Sequence, residues 1–350
     1  MAAARIHDFA SDNHAGAHPE VLEAIAAANV GHAGSYGSDA WTERAADLIR
    51  GRFGDDSRAF FVFNGTGANV ASLAALARPF EAVICTEVAH MHVDECGAPE
   101  QLAHVKLLPV AAPEGKLTPD DVRRWESKRG DEHHVQPRVV SITQATELGT
   151  IYRPDEIGAI ADAAHALDMY LHVDGSRLAN AAAALDVSFA ELTTEPGVDV
   201  VSFGGTKHGL VFGEAVVFCK GELARDFEFT RKRLGQLASK MRFVSAQFEA
   251  LLTDDLWVRS ARHANAMASR LAAAVAEIDA VEVLHPVEAN GVFARLPRPA
   301  IERLLAELPG EHPFYIWDDA RDEVRWMCSW DTTDADVDAF ADRVREAVAG

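Results

Sequence analysis

Of the 33 basic residues in this chain, 26 are arginines and only seven are lysines. One of the seven has an unusual setting. Lys207 lies in Ser202-Phe-Gly-Gly-Thr-Lys-His-Gly209, among small residues just past an apolar run. Glycines there let a ligand approach the backbone closely. A lysine amine serves Schiff-base chemistry once burial or neighbouring cations lower its pKa, although a solvated loop lysine would fit this one segment as well. Asp174 follows another apolar run, in His172-Val-Asp-Gly-Ser-Arg177. A carboxylate in that place suits the protonated ring nitrogen of a pyridine cofactor, which it keeps electron-poor; a helix-capping aspartate is the plainer reading. Asn64-Gly-Thr-Gly67 falls between a strand pattern and a helix pattern, where unpaired N–H groups and the helix dipole favour a phosphate. It lacks the third glycine of a dinucleotide fingerprint and the Gly-Lys-Ser/Thr of a P-loop, and it also fits a plain turn. His90-Met-His92-Val-Asp94-Glu95-Cys96 reads as one active-site histidine, as a structural histidine pair, or as metal ligands if a strand points both imidazoles to one face.

These segments matter together because of the elements that must hold them. Apolar runs at 59–63, 82–85, 105–109, 139–142, 169–173, 198–203 and 215–219 alternate with helical patterns. Strands apolar on both faces indicate a mostly parallel sheet between helices. Thr118-Pro-Asp-Asp121 opens a helix with a cap, a proline and acids in the first turn. Ile157, Ile160, Ala161 and Ala164 share one helical face. In such sheets ligands sit outside the C-terminal ends of the strands, and that is where the glycine turns, the histidine, Asp174, Arg177 and Lys207 all fall. After about residue 250 the pattern changes to a long helix, short strands joined by turns, and a closing helix near 334–348. We therefore expect a large domain over 1–250 and a smaller α+β domain over 251–350, with no Pro/Gly/Ser linker between them.

Length and composition frame this reading. A chain of 350 residues, 48% hydrophobic and 25% charged, is ordinary globular composition and excludes a disordered or fibrous protein. The net charge of −21 argues against nucleic acid, which needs a basic stripe, and against an anionic membrane surface. No run approaches the roughly 20 apolar residues of a membrane span, and Met1–Asp8 lacks the apolar core of a signal peptide. The four cysteines are scattered without metal-finger spacing, as expected of reduced core residues in a cytoplasmic protein.

The motifs resemble those of the low-specificity L-threonine aldolases, including the phenylserine aldolase type, within the fold-type I pyridoxal-phosphate enzymes. The resemblance runs from Phe9-Ala-Ser-Asp-Asn13 to Cys328-Ser-Trp-Asp-Thr332. It rests on Tyr36-Gly-Ser-Asp39, Phe63-Asn-Gly-Thr66, Ala89-His90, Asp94-Glu-Cys-Gly97, Ile142-Thr-Gln-Ala-Thr-Glu147, His172–Arg177, Phe203–Lys207 and Gly235-Gln-Leu-Ala-Ser-Lys-Met-Arg242. It implies a fold-type I, transferase-like α/β architecture with segment 1–20 contributing to the active site. It also implies retro-aldol cleavage of L-threonine, L-allo-threonine and related β-hydroxy-α-amino acids to glycine and an aldehyde, with pyridoxal 5′-phosphate as cofactor. By the same resemblance, Lys207 holds the cofactor as a Schiff base, Asp174 pairs with its ring nitrogen and His90 stacks on the ring. Gly65 and Thr66 hold the phosphate, helped by Lys232 or Arg242 from a neighbouring subunit. Ser11, Arg177 and Arg325 clamp the substrate carboxylate, with Arg177 also beside the cofactor. The family's tetramers or dimers share active sites, which would let Tyr36 act across an interface.

One departure stands out. Many threonine aldolases carry a histidine after the fourth strand, in a Glu-Asn-Thr-His pattern, whereas this chain has Thr143-Gln-Ala-Thr-Glu147. The base for the β-hydroxyl is therefore open among His90, His208, Glu95 and a held water. Rival readings are hydroxymethyl transfer, racemisation or transamination on the same scaffold, a metal hydrolase using His90, His92 and Asp94, and a catalytically silent binding module.

Overall fold

Seven of the apolar runs become one sheet: β1 (Arg58–Val62), β2 (Glu81–Thr86), β3 (Lys106–Val110), β4 (Gln136–Thr143), β5 (Tyr170–Gly175), β6 (Val200–Gly204) and β7 (Glu214–Phe218). Their order is β1-β7-β6-β5-β4-β2-β3. The computed structural model describes residues 7–308 and 313–350; the signal-peptide reading of the first residues and the start of segment 1–20 fall outside them. Strands β2 to β6 pair in parallel, whereas β7 is antiparallel to both β6 and β1. The reversal follows from chain length. Segment 205–213 is shorter than the dozen or so residues that a parallel crossover needs, so the chain turns back, and Lys207 sits in that turn.

Both faces of the sheet are covered. Neighbouring residues on a strand point to opposite faces, so Val83 joins one apolar cluster and Ile84 the other. Val83, Val139, Val200 and Val216 pack with the helix Gly65–Leu76, which buries Val70, Leu73 and Leu76. On the other face Ile84, Ile142, Val173 and Phe203 meet Ile157, Ile160, Ala161 and Ala164 of the helix Pro154–Ala166. The helix opened by Thr118 is only five residues long, Pro119–Arg123, although its capping box forms as expected.

A second, antiparallel sheet holds β8 (Glu282–Val283), β9 (Gly291–Arg295), β10 (Tyr315–Asp318) and β11 (Glu323–Met327) in the order β10-β11-β9-β8. Its core gathers the fully buried Trp326 with Phe9, Phe314 and Phe340. The helix Leu256–Ala276 serves both cores. Leu256, Trp257 and Ala261 belong to the first, and Met267, Leu271 and Val275 to the second. We propose 1–250 and 251–350 as domains, with this helix of the second packing into both cores. The amino-terminal segment stitches them together: the Phe9 carbonyl accepts from Met327 N at 2.7 Å, and His18 N donates to the Gly209 carbonyl beside Lys207.

Candidate active site

Beyond the C-terminal ends of β4 to β6, facing the second sheet, lies a cavity of about 500 Å³. Its walls include Ser11, His90, Glu147, Arg177, Lys207 and Arg325, each brought in by a different segment. Lys207 stands in the single turn Thr206–His208 after β6. Gly204, just before it, must be glycine, because a Cβ there would lie 2.4 Å from the Ser176 carbonyl oxygen. Burial and then the Arg177 guanidinium push the Lys207 amine below its ordinary pKa, against the opposing pull of Asp12, Asp174 and Glu214.

Asp174 lies within β5, level with Thr143 of β4 and Ser202 of β6. It is almost wholly buried. Burial alone would push its pKa up, but the Asn69 hydrogen bond and the charges of Lys207 and His90 outweigh it and hold the carboxyl ionised. Asn69 donates from Nδ2 to Asp174 Oδ2 and to Glu95 Oε1, both at 2.8 Å, and His90 Nδ1 lies 2.9 Å from the same Glu95 oxygen. That bond to Glu95 raises the His90 pKa despite partial burial. The four residues thus form a chain of two carboxylates, an amide and an imidazole, of which His90 reaches the cavity wall.

Arg177 carries a second network. Its Nε and Nη2 donate to Asp12 Oδ2 and Oδ1 at 2.7 and 2.9 Å, and Asn290 Nδ2 donates to Asp12 Oδ2 at 3.0 Å. Arg177 therefore has one face of its fork engaged and the remainder for the cavity. Arg325 comes from β11, over the rings of Tyr315 and Trp317 at 5.3 and 5.4 Å. Its Nε is buried without a partner. Burial and Arg177 lower its pKa from the ordinary value.

The glycine turn is not on the wall of this cavity. Asn64 caps the helix Gly65–Leu76, its Oδ1 accepting from Gly67 N at 2.7 Å. Thr66, Gly67 and Gln236 line a smaller hollow of about 240 Å³, whose wall does not include Gly65. Gln236 Oε1 accepts from Phe63 N at 2.9 Å. Tyr36, Lys232 and Arg242 are not on the cavity wall of this chain. Instead, Lys232 lies 4.9 Å from the centre of the Tyr36 ring, and Arg242 donates to the carbonyls of Val30 and Gly31.

The strand reading of His90 and His92 is corrected. They lie on the one-turn helix His90–Val93, where residues two apart point about 200° apart around the axis. His92 is exposed and off the cavity wall. Among the described residues no group of three or more His, Cys, Asp or Glu side chains is arranged to hold a metal ion. None of the helices there is long and apolar enough to cross a membrane.

The beta-eliminating lyase family profile matches residues 8–297. The chain is 50% identical to the low specificity L-threonine aldolase of Pseudomonas aeruginosa over 93% of each chain. It is 48% identical to the enzyme of that name from a Pseudomonas species, over 97% of this chain and 98% of the relative. The chain belongs to the low-specificity L-threonine aldolases of the beta-eliminating lyase family. The solved threonine aldolase of Leishmania major superposes with a TM-score of 0.90 at 29% identity, covering 98% of this chain and all of that one. The architecture expected from the sequence, a fold-type I α/β scaffold, is therefore the one present, and the protein is a lyase.

Four residues of this lyase had no role in the sequence reading: Asp12, Asn69, Glu147 and Asn290. Asp12, Asn69 and Glu147 lie inside or beside motifs that were recognised, so position alone could have flagged them. What marks them is the hydrogen bonding just described, which no spacing along the chain reveals. Asn290 precedes β9 in a stretch without a motif, and only the fold brings it to Asp12.

Proposed function

We propose that this lyase cleaves L-threonine, L-allo-threonine and related β-hydroxy-α-amino acids, phenylserine among them, to glycine and an aldehyde, with pyridoxal 5′-phosphate as cofactor. The observation that carries the reading is Lys207 on the cavity wall, its amine pKa lowered by burial, within electrostatic reach of Asp174, a buried carboxylate kept ionised. A primary amine that readily loses its proton and a carboxylate that keeps its charge are what that cofactor's aldehyde and ring nitrogen require, so the residues fit the group. When bound, it supplies an electron sink for the bond broken at the substrate Cα.

The chain's own residues do the rest. Lys207 would hold the cofactor covalently through its amine, Asp174 would bind its ring nitrogen, and His90 would lie against its ring, anchored by Glu95. Gly65 and Thr66, at the positive end of their helix, would bind its phosphate. Arg177 and Arg325, two permanently charged forks, would hold the amino-acid carboxylate with Ser11. Asp12 keeps Arg177 in place as they do so. Tyr36, Lys232 and Arg242 lie off this chain's cavity and would serve the site of a neighbouring copy in a homodimer or homotetramer. A cytoplasmic location belongs to the same reading.

The test is the visible spectrum and the product. Purified protein given pyridoxal phosphate should show a visible band, become labelled on borohydride reduction, and release glycine and acetaldehyde from L-threonine. No folate or keto acid should be needed, which separates cleavage from hydroxymethyl transfer and transamination. Lys207→Ala should lose both label and cleavage. Label at the wild-type level in that variant would overturn the Lys207 assignment, and a wild type unable to cleave threonine would overturn the function.

A further inference from the structure

We propose that Glu147 is the base that takes the β-hydroxyl proton of the amino-acid substrate; this rests on the cleavage reaction proposed above. The segment after β4 carries no histidine, so another group on the cavity wall must accept that proton. Among the described residues, the imidazole and carboxylate groups on the wall are His90, Asp94 and Glu147. The other side-chain candidates drop out. His208 is buried off the wall, and burial pushes its pKa down to about 4, too weak a base. Glu95 is also off the wall, and its Oε1 is already shared by His90 and Asn69. His90 bonds Glu95, which favours its protonated form, and Asp94 is exposed.

Of these groups only Glu147 combines a place on the cavity wall with a buried polar atom that has no partner. Its Oε1 is tethered by two donors, His90 N at 2.9 Å and Thr143 Oγ1 at 2.7 Å, which fix the carboxyl at the end of β4. Its Oε2 is buried and has no partner. A buried carboxylate oxygen with no donor is uncommon and costly, and a substrate hydroxyl supplies the missing donor. Burial raises the Glu147 pKa above the ordinary carboxylate range; the Asp174 charge adds to the rise, and the Thr143 and His90 bonds only partly oppose it. That makes it a better proton acceptor near neutral pH than a free carboxylate. The charged and titratable groups coupled to its charge are Asp174, Arg177 and the buried Tyr152 and Cys85, while His90 meets it through its backbone N–H.

The step balances. The hydroxyl proton passes to Glu147, the O–H pair becomes the second C–O bond of the aldehyde, and the Cα–Cβ pair stays on Cα. Cα then takes one proton, so the cleavage as a whole neither consumes nor releases one.

Glycine separates this role from support of the cofactor, because exchange of its Cα proton with deuterated water needs no β-hydroxyl base. Holoenzyme with Glu147→Gln should cleave threonine about 10²- to 10⁴-fold more slowly. It should exchange glycine within a few-fold of wild type and bind pyridoxal phosphate with unchanged affinity by absorbance titration. The acidic limb of the wild-type pH–rate profile should vanish in its residual activity. Glu147→Asp should recover part of the rate. Wild-type cleavage by the Gln variant, or equal loss of cleavage and exchange, would each overturn the assignment. A wild type that exchanges glycine without cleaving threonine would overturn the proposed function, and Glu147's role with it.

Discussion

Asp12→Ala should destabilise the fold through Arg177, a residue distant in sequence. The pair is bidentate and enclosed, with side-chain exposures of 1% for Asp12 and 14% for Arg177. Breaking a buried ion pair by removing one partner costs about 3–5 kcal/mol, because the other charge is left uncompensated. Arg177 borders the cavity, so water can partly resolvate it, and the lower end, about 3 kcal/mol, applies. Asn290 loses one acceptor but keeps its 2.8 Å bond to the Cys328 carbonyl, which adds little. With an unfolding entropy of about 2.1 cal/mol/K per residue, that loss lowers the apparent Tm of a chain this long by about 4 °C. Asp12→Asn keeps an acceptor without the charge and should fall between. Thermal unfolding of wild type, Asp12→Ala, Arg177→Leu and the double variant gives the coupling energy, expected at 1 kcal/mol or more on the scale of about 0.5–3 kcal/mol for contacting residues. The sign of the pH dependence follows from Asp12 being held well below the usual carboxylate range: burial opposes this, but Arg177 and Lys207 outweigh it. Its contribution is complete above the unfolded value near pH 4 and is lost only as pH falls towards the lower folded value. The gap between wild type and variant should thus be constant from about pH 5 to 8. A Tm within 1 °C of wild type, or a coupling indistinguishable from zero, would refute the reasoning.

Two further outcomes follow from the same geometry. A Cβ at Gly67 would lie 2.4 Å from the Gln236 carboxamide, so Gly67→Ala should expel that side chain and cost about 1 kcal/mol, near the worth of the lost bond to Phe63 N. Adding it to Gln236→Ala should then change Tm no further; an additive double variant would contradict this contact. Glu214 is buried, with its pKa pushed up to about 7 by burial, against the Gly205 N–H and Thr206. Its folded value lies above its unfolded value, so the stability it lends is present below about pH 4.5 and is lost as pH rises through 7. Glu214→Gln should gain on wild type across that window by an amount on the order of 3 kcal/mol, read as the difference in unfolding free energy at pH 5 and pH 8. The buried His172 and His208, pushed down to about 4, act the other way in both proteins and cancel in the difference. A gap independent of pH would exclude Glu214 as its source.

The strands and the Lys207 turn were legible because apolar runs and glycine turns are local signals, written in neighbouring residues. Asp174 and Arg177 were legible for the same reason, as punctuation after a strand. The one-turn helix at His90–Val93 is not legible in the sequence, because four residues hold too little periodicity to tell a helix from a strand. The roles of Asp12, Asn69 and Asn290 could not be read at all, since each depends on a partner far away in the chain. The sequence by itself therefore determined the alternation of strands and helices, the motif-bearing turns and, through them, the family. Only the tertiary structure decided which charges meet: that Asp12 engages Arg177, that Asn69 bridges Asp174 to Glu95, and that Glu147 keeps an unpaired oxygen at the cavity. The physical reason is that burial and distance set the strength of a charge interaction, and neither is a property of a residue and its neighbours in sequence.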